Sequence, residues 1–351
     1  MKRRSILSAF GAAAAALPCR SWATTPAQAA DHSTMNLMVA GPSGGQTSRW
    51  GNAFALAMSS GFPGTPTIIP NPVGGLDGVA GANQLDTLMV PDGSSAAILP
   101  GATLIAYMLG DVRTHYNPTK WTPLLAGCNS GVLMLRAPAG TVPTLETLKK
   151  LAPIRFGGAR LQSADLAALL ALARLGIPTA PVFGLYSNTE KTNAFIAGTV
   201  DAVFICGEGV PEDLDAFIAS GAVPAFSIGA PLPDGSIGPD PLFPHLALAS
   251  SLGPPVNPML NSAYEAAANA ARLDFMLVLP HLTAANEIAL WRSAASTAAQ
   301  TTAIAAASEA SSISIQSAFV LADLLASLTP IPAIQPQLIT FLTKTYGWQP
   351  D

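Results

Sequence analysis

The chain has 351 residues, longer than one domain usually holds, with half of them hydrophobic and 11% charged, so it can build a large core and lacks the polarity of a disordered chain. Its formal net charge is −4. A chain this acidic does not offer the basic surface that nucleic-acid phosphates require, and no nucleic-acid partner is expected.

Lys2, Arg3 and Arg4 lead a short alanine-rich apolar run, and Ala27-Gln28-Ala29 places small residues at the two positions that a signal peptidase reads. Residues 1–29 are therefore expected to be an export signal, with the mature chain starting near Ala30. The run is too short to span a membrane, which needs about 20 apolar residues. Pro18 ahead of Cys19 makes a poor lipidation site. Arg3-Arg4-Ser5-Ile6-Leu7 resembles a twin-arginine signal with Ile in place of Phe, and the general export route is the alternative. Cleavage removes Lys2, Arg3, Arg4 and Arg20 from 17 bases, leaving 13 against 21 acids, a net −8. Net charge is global, so a local cleft for an anion stays open. Cys128 and Cys206 remain; an oxidising compartment allows them to pair, and their apolar context suits two free thiols equally.

From Asn36 onward strand-like and helix-like segments alternate. Residues 36–40 read as a strand ending in Gly41-Pro42-Ser43-Gly44-Gly45, and residues 48–58 carry helical spacing, with Trp50, Phe54 and Met58 four apart. A strand over 67–70 runs into Asn71-Pro72-Val73-Gly74-Gly75, followed by a helix over 79–88 and a strand over 96–99. This is the βαβ grammar of a parallel sheet covered by helices. It recurs, with strands at 131–136, 154–156, 201–206 and 221–228 and helices at 145–151, 164–175 and 211–220. Residues 264–319 read as packed helices, the Ala/Ser/Thr-rich stretch at 293–318 included.

His32, His115, His245 and His281 stand apart from one another and from the cysteines, so no metal site is expected. There is no G-x-S-x-G elbow and no phosphate loop, and Gly74-Gly75-Leu76-Asp77-Gly78 is out of step with a dinucleotide fingerprint. No catalytic residue, metal or cofactor is assigned. What remains are glycine-rich turns that each end a strand and open a helix. Unpaired N–H groups and the helix dipole make such a start electropositive, and glycine lets a ligand approach the backbone. For any one turn, the alternative is that it only connects two elements.

Taken in order, these segments resemble the receptor family of tripartite tricarboxylate transporters, the Bug-type periplasmic binding proteins. Gly41-Pro42-Ser43-Gly44-Gly45-Gln46-Thr47-Ser48 is similar to that family's Pro-x-Gly-Gly-x-x-Asp turn, and Asn71-Pro72-Val73-Gly74-Gly75 to its Asn-x-x-Gly-x-Gly turn. Pro91-Asp92-Gly93, Tyr116-Asn117-Pro118-Thr119-Lys120-Trp121-Thr122-Pro123 and Ala197-Gly198-Thr199-Val200-Asp201-Ala202-Val203-Phe204 resemble its later segments. The resemblance runs from about 36 to 253 and is carried by the order of the pieces rather than by any one of them.

It implies an α/β fold like that of type II periplasmic binding proteins, two α/β lobes with a ligand cleft between them. The lobes are expected at 31–127 with 226–351, and at 128–225. It further implies a monomeric protein in the periplasm that holds a small carboxylated ligand for integral membrane transporter subunits. A protein feeding a periplasmic sensor and an enzyme with a dispersed site are the alternatives. Carried over by position, the ligand contacts are Ser43, Gly44, Gly45, Gln46 and Thr47, with Asn71 and Gly74, in the first lobe. The family's Asp in the opening turn falls on Ser48. Its second-lobe turn, Gly-x-Gly-Ser-x-x-His, falls on Ala159-Arg160-Leu161-Gln162-Ser163-Ala164-Asp165, which has lost the glycines, serine and histidine at those places. Arg160, Gln162 and Ser163 are the candidates there. Arg160 offers a forked cation in compensation, or is a solvated loop arginine.

Overall fold

The computed structural model describes residues 33–350 apart from 139, 142 and 209, so the expected export signal and its cleavage site lie outside the described residues. The chain opens with β1 (Thr34–Ala40), α1 (Gln46–Ser59), β2 (Thr67–Val73), α2 (Val79–Thr87), β3 (Ser95–Leu99), α3 (Ala102–Leu109) and β4 (Thr122–Cys128). Asn129 and Ser130 carry it over to β5 (Gly131–Arg136), α4 (Leu145–Leu151), β6 (Ile154–Gly157), α5 (Asp165–Arg174), β7 (Thr179–Val182), α6 (Asn188–Ile196), β8 (Ala202–Cys206), α7 (Val210–Ala219) and β9 (Ala222–Ser227). A small hairpin of β10 (Ala230–Pro231) and β11 (Ile237–Gly238) leads to α8 (Pro258–Arg272). The return passes through β12 (Leu273–Leu279), α9 (Ala285–Ala299), α10 (Thr302–Ser311), β13 (Ser314–Ser317), α11 (Ala318–Ala326) and α12 (Ile331–Tyr346).

Two sheets result, in the order β13-β4-β12-β3-β1-β2 and β7-β6-β8-β5-β9. Both follow one plan. The second, first and third strands of each βαβ run lie side by side and parallel, and next to the third lies the strand that has just crossed from the other lobe, antiparallel to its neighbours. That interleaving ties each lobe to the other twice. It is the type II topology expected from the sequence.

The expectation of unbroken helices over 264–319 is corrected. β12 and β13 fall inside it, and β12 occupies the middle of the first sheet between β3 and β4. The chain passes from helix to strand with no glycine or proline, Leu273 already being extended. A strand covered on both faces shows no polar alternation, so Leu273–Leu279 continues the apolar pattern of the helix before it.

Side chains alternate across the first sheet as strand geometry requires. Met38, Ala40, Ala97, Leu99, Met276 and Val278 face the helices α3, α8, α11 and α12, while Leu37, Val39, Ile98, Phe275 and Leu277 face Trp50, Phe54, Met58 and Trp291. Each large side chain buried in this way contributes about 1.5–3 kcal/mol. Gly51 lets α1 lie close on the sheet, since a Cβ there would stand 2.6 Å from Val39 Cγ2. α8 packs against α5 of the second lobe and against α3, α11 and α12 of the first, so one apolar cluster runs through both lobes behind the crossings.

Candidate functional site

The turn that follows β1 runs from buried Gly41 through exposed Pro42, Ser43 and Gly44. Gly41 N–H donates to Val39 and Val73 carbonyls, which ends the strand, and Gly45 N–H donates to Pro42 O at 3.1 Å, which closes the turn. Gly44 has φ +77°, a left-handed conformation suited to glycine, and a Cβ there would meet nothing within 4 Å. Gly45 is the N-cap of α1 in extended conformation, with no side-chain cap and no acidic residue in the first turn. The start of α1 is therefore glycine-led, electropositive and uncapped. Ser43 and Gly44 are exposed, Gly45, Gln46 and Thr47 half-buried, and Ser48 buried.

The starts of α2, α5 and α6, which also follow parallel strands, are occupied by the protein's own carboxylates, whereas that of α3, led by Gly101, has neither a side-chain cap nor an acidic residue in its first turn. At α2, Asp77 Oδ1 accepts from Val79 N–H at 3.2 Å and Oδ2 accepts from Arg113 at 2.8 Å. At α5, Asp165 Oδ2 accepts from Ala159 N–H at 2.7 Å and from Ser163 Oγ, while Oδ1 accepts from Lys191 Nζ at 2.6 Å. Asp165 and Lys191 are both buried, and Lys191 also donates to Phe204 O at 2.7 Å. At α6, Ser187 and Glu190 form a capping box in which Glu190 accepts from Tyr186 and Ser187 N–H groups. At these three starts a carboxylate is bonded within the turn itself; at α1 the neighbouring carboxyls, Asp274 and Glu208, are bonded to the side chains of Gln46 and Arg49.

The predicted contacts thus separate. Ser43 to Thr47 come together at the start of α1. Gly74 stands exposed at the head of the self-capped α2 turn. Asn71 lies within β2 and lines a cavity of about 310 Å³ with Asn36, Ser94 and Ser95, beside the starts of β1 and β3. Ser163 is engaged inside its own loop, donating to Arg160 O at 2.6 Å, and Gln162 is half-buried in the same loop. Arg160 is exposed and acts across the lobes on Asp111. Arg113 first, and more weakly Arg160, hold the Asp111 carboxyl below its ordinary range.

Sequence reasoning missed Arg49, Glu208 and Asp274, which lie beside the start of α1. Arg49, in the first turn of α1, pairs with Glu208 of the second lobe at 2.5 Å, and the two border a cavity of about 490 Å³ with Trp50, Glu212 and Ala307. A cavity of that size suits a small organic ligand. Gln46 donates from its side chain to Asp274 Oδ1, which joins the start of α1 to β12. Burial first, then the charge of Glu208, push the Asp274 carboxyl up to about 7. Helical spacing marks none of Arg49, Glu208 and Asp274, and Asp274 falls in the segment read as helix. Cys128 and Cys206 are free thiols, each pushed up to about 12 by burial.

No protein-family model matches the chain, and no curated protein matches it. Solved structures do. A TctC solute-binding protein from Polaromonas superposes with a TM-score of 0.67 at 15% identity, over 88% of this chain and 98% of its own. MatC from Rhodopseudomonas palustris, with bound malate, gives 0.53 at 16% identity over 86% and 98%. A second R. palustris protein, with adipate, gives 0.53 at 16% over 90% and 97%. At these identities the likeness is one of fold. The chain has the fold of these solute-binding proteins, two α/β lobes with a cleft between them.

Proposed function

We propose that the protein is an exported, monomeric solute-binding protein that captures a small carboxylated molecule between its lobes and delivers it to the membrane subunits of a tripartite tricarboxylate-type transporter. The observation that carries the reading is the start of α1, which no side chain caps, in contrast to the carboxylate-occupied starts of α2, α5 and α6. Backbone N–H groups there hold a carboxylate, and the opposing lobe closes over it by hinge motion at the crossings. Malate and adipate, the molecules held by two proteins of the same fold, are carboxylates. The work asked of the site is binding, with no residue assigned to catalysis.

The test is to purify the mature protein under native conditions, denature it, and identify the released small molecules by mass spectrometry. A carboxylic acid near one equivalent is expected. A stoichiometric ligand without a carboxyl group would overturn the reading.

A further inference from the structure

Asp274 sits at an irregularity in β12. Leu273 pairs with Cys128 and Phe275 with Gly127, so two steps on one strand meet one step on the other, and the register shifts at Asp274. A bulge of this kind re-aims the side chain it carries. The neighbours of Asp274 fix where that side chain lies. Gln46, the first residue of α1, donates to Oδ1. Glu208 of the second lobe and Arg49 of the first both act on the carboxyl group. Asp274 therefore lies on the cleft floor, beside the start of α1 and in reach of both lobes.

Its other oxygen is unusual. Asp274 Oδ2 is buried and makes no hydrogen bond among the described residues. Buried carboxylate oxygens are ordinarily satisfied, because removing one from water without a partner is costly. Arg49, the cation that acts on it, is engaged with Glu208. The groups around Asp274 leave one buried acceptor without a donor, next to Gln46 at the start of α1.

We infer that Asp274 accepts a hydrogen bond from a donor group on the bound molecule, an ammonium or a hydroxyl, so that the ligand is an amino or hydroxy acid rather than a plain dicarboxylate. The inference rests on reading the cleft as a carboxylate site and adds the second pole of recognition. The start of α1 takes the carboxylate, and Asp274 takes the donor a few bonds away. The raised pKa agrees, since a carboxyl with one unsatisfied oxygen near Glu208 gains most from a donor or a cation. Two groups of opposite demand on one floor also orient the ligand, which a helix start alone does not.

Calorimetry at pH 8 tests it with six acids of two chain lengths: succinate, malate and aspartate, and glutarate, 2-hydroxyglutarate and glutamate. The wild-type protein is expected to bind the best hydroxy or amino acid about tenfold or more tighter than the plain diacid of the same length. In Asp274→Asn that preference should shrink to about threefold or less. Preference for the hydroxy member assigns a hydroxyl donor, and preference for the amino member an ammonium. Asp274→Ser serves as a second variant, and melting curves establish that both are folded. Equal binding of all members by the wild type, or a preference untouched in both variants, overturns the inference and leaves the carboxylate reading standing. Binding of none of the six overturns the carboxylate reading for these lengths, and the inference falls with it.

Discussion

Arg272 and Asn129 lock the two crossings to each other. Asn129 N–H donates to Arg272 O at 2.8 Å, while the Arg272 guanidinium donates to Ile228 and Gly229 carbonyls and to Asn269 Oδ1. The first crossing is thereby held by the backbone of Arg272 and the second by its side chain. The guanidinium is buried at the C-terminus of α8, where the helix dipole favours a cation. Charge-assisted bonds to buried carbonyls are the strong kind. Arg272→Met fits the space and leaves those carbonyls unsatisfied, so it should cost on the order of 3 kcal/mol. Urea denaturation measures the loss. A change within about 0.5 kcal/mol, the range of an ordinary surface substitution, would show that the crossings do not depend on it.

Asp165 and Lys191 form a second buried pair, beneath the second-lobe turn. Removing one partner strands a charge. Lys191→Met should destabilise by about 3–5 kcal/mol, and adding Asp165→Asn should recover part of that loss. A double-mutant cycle in urea gives the coupling. Strict additivity would mean that the two do not depend on each other.

The pH dependence of Asp274 has a definite sign. Its folded pKa is about 7, against about 3.9 for an unperturbed Asp. A raised carboxyl pKa contributes stability that is full below the unfolded value and is lost as pH rises through the folded one. Asp274→Asn does not titrate, so its melting temperature should gain on wild type from about pH 4 upward and level off above about pH 7. Melting curves of both proteins across that range are the check. A gap that stays constant with pH would place Asp274 outside the buried setting described.

The first lobe was largely legible in the sequence. The helix expected over 48–58 is Gln46–Ser59, and the strand over 36–40 lies within Thr34–Ala40. Both carry strong local signals, an apolar face four residues apart and a glycine turn that stops the strand. Of the candidate contacts, only Ser43 to Thr47 come together at the start of α1, for the same reason. The closing of the second-lobe turn depends on Lys191 meeting Asp165 across 26 residues, which no local pattern encodes. Asp274 was hidden because a doubly covered strand following an alanine-rich helix keeps the same apolar texture. Arg160, read as a compensating cation or a solvated loop residue, is exposed, and its charge acts weakly on Asp111 of the other lobe.

The central claim is that a carboxylate sits on the backbone at the start of α1, and amide chemical shifts report on that backbone directly. In a titration of the ¹⁵N-labelled protein with malate, the account predicts the largest changes at the amides of Gly44, Gly45, Gln46, Thr47 and Ser48. The Val79 amide, already bonded to Asp77, and the Ala159 amide, already bonded to Asp165, should move little. Gly45→Val, whose side chain would press on Pro42 O from 3.1 Å, should abolish the changes. Saturating shifts centred on the α2 or α5 turns, with residues 44–48 unmoved, would contradict the account.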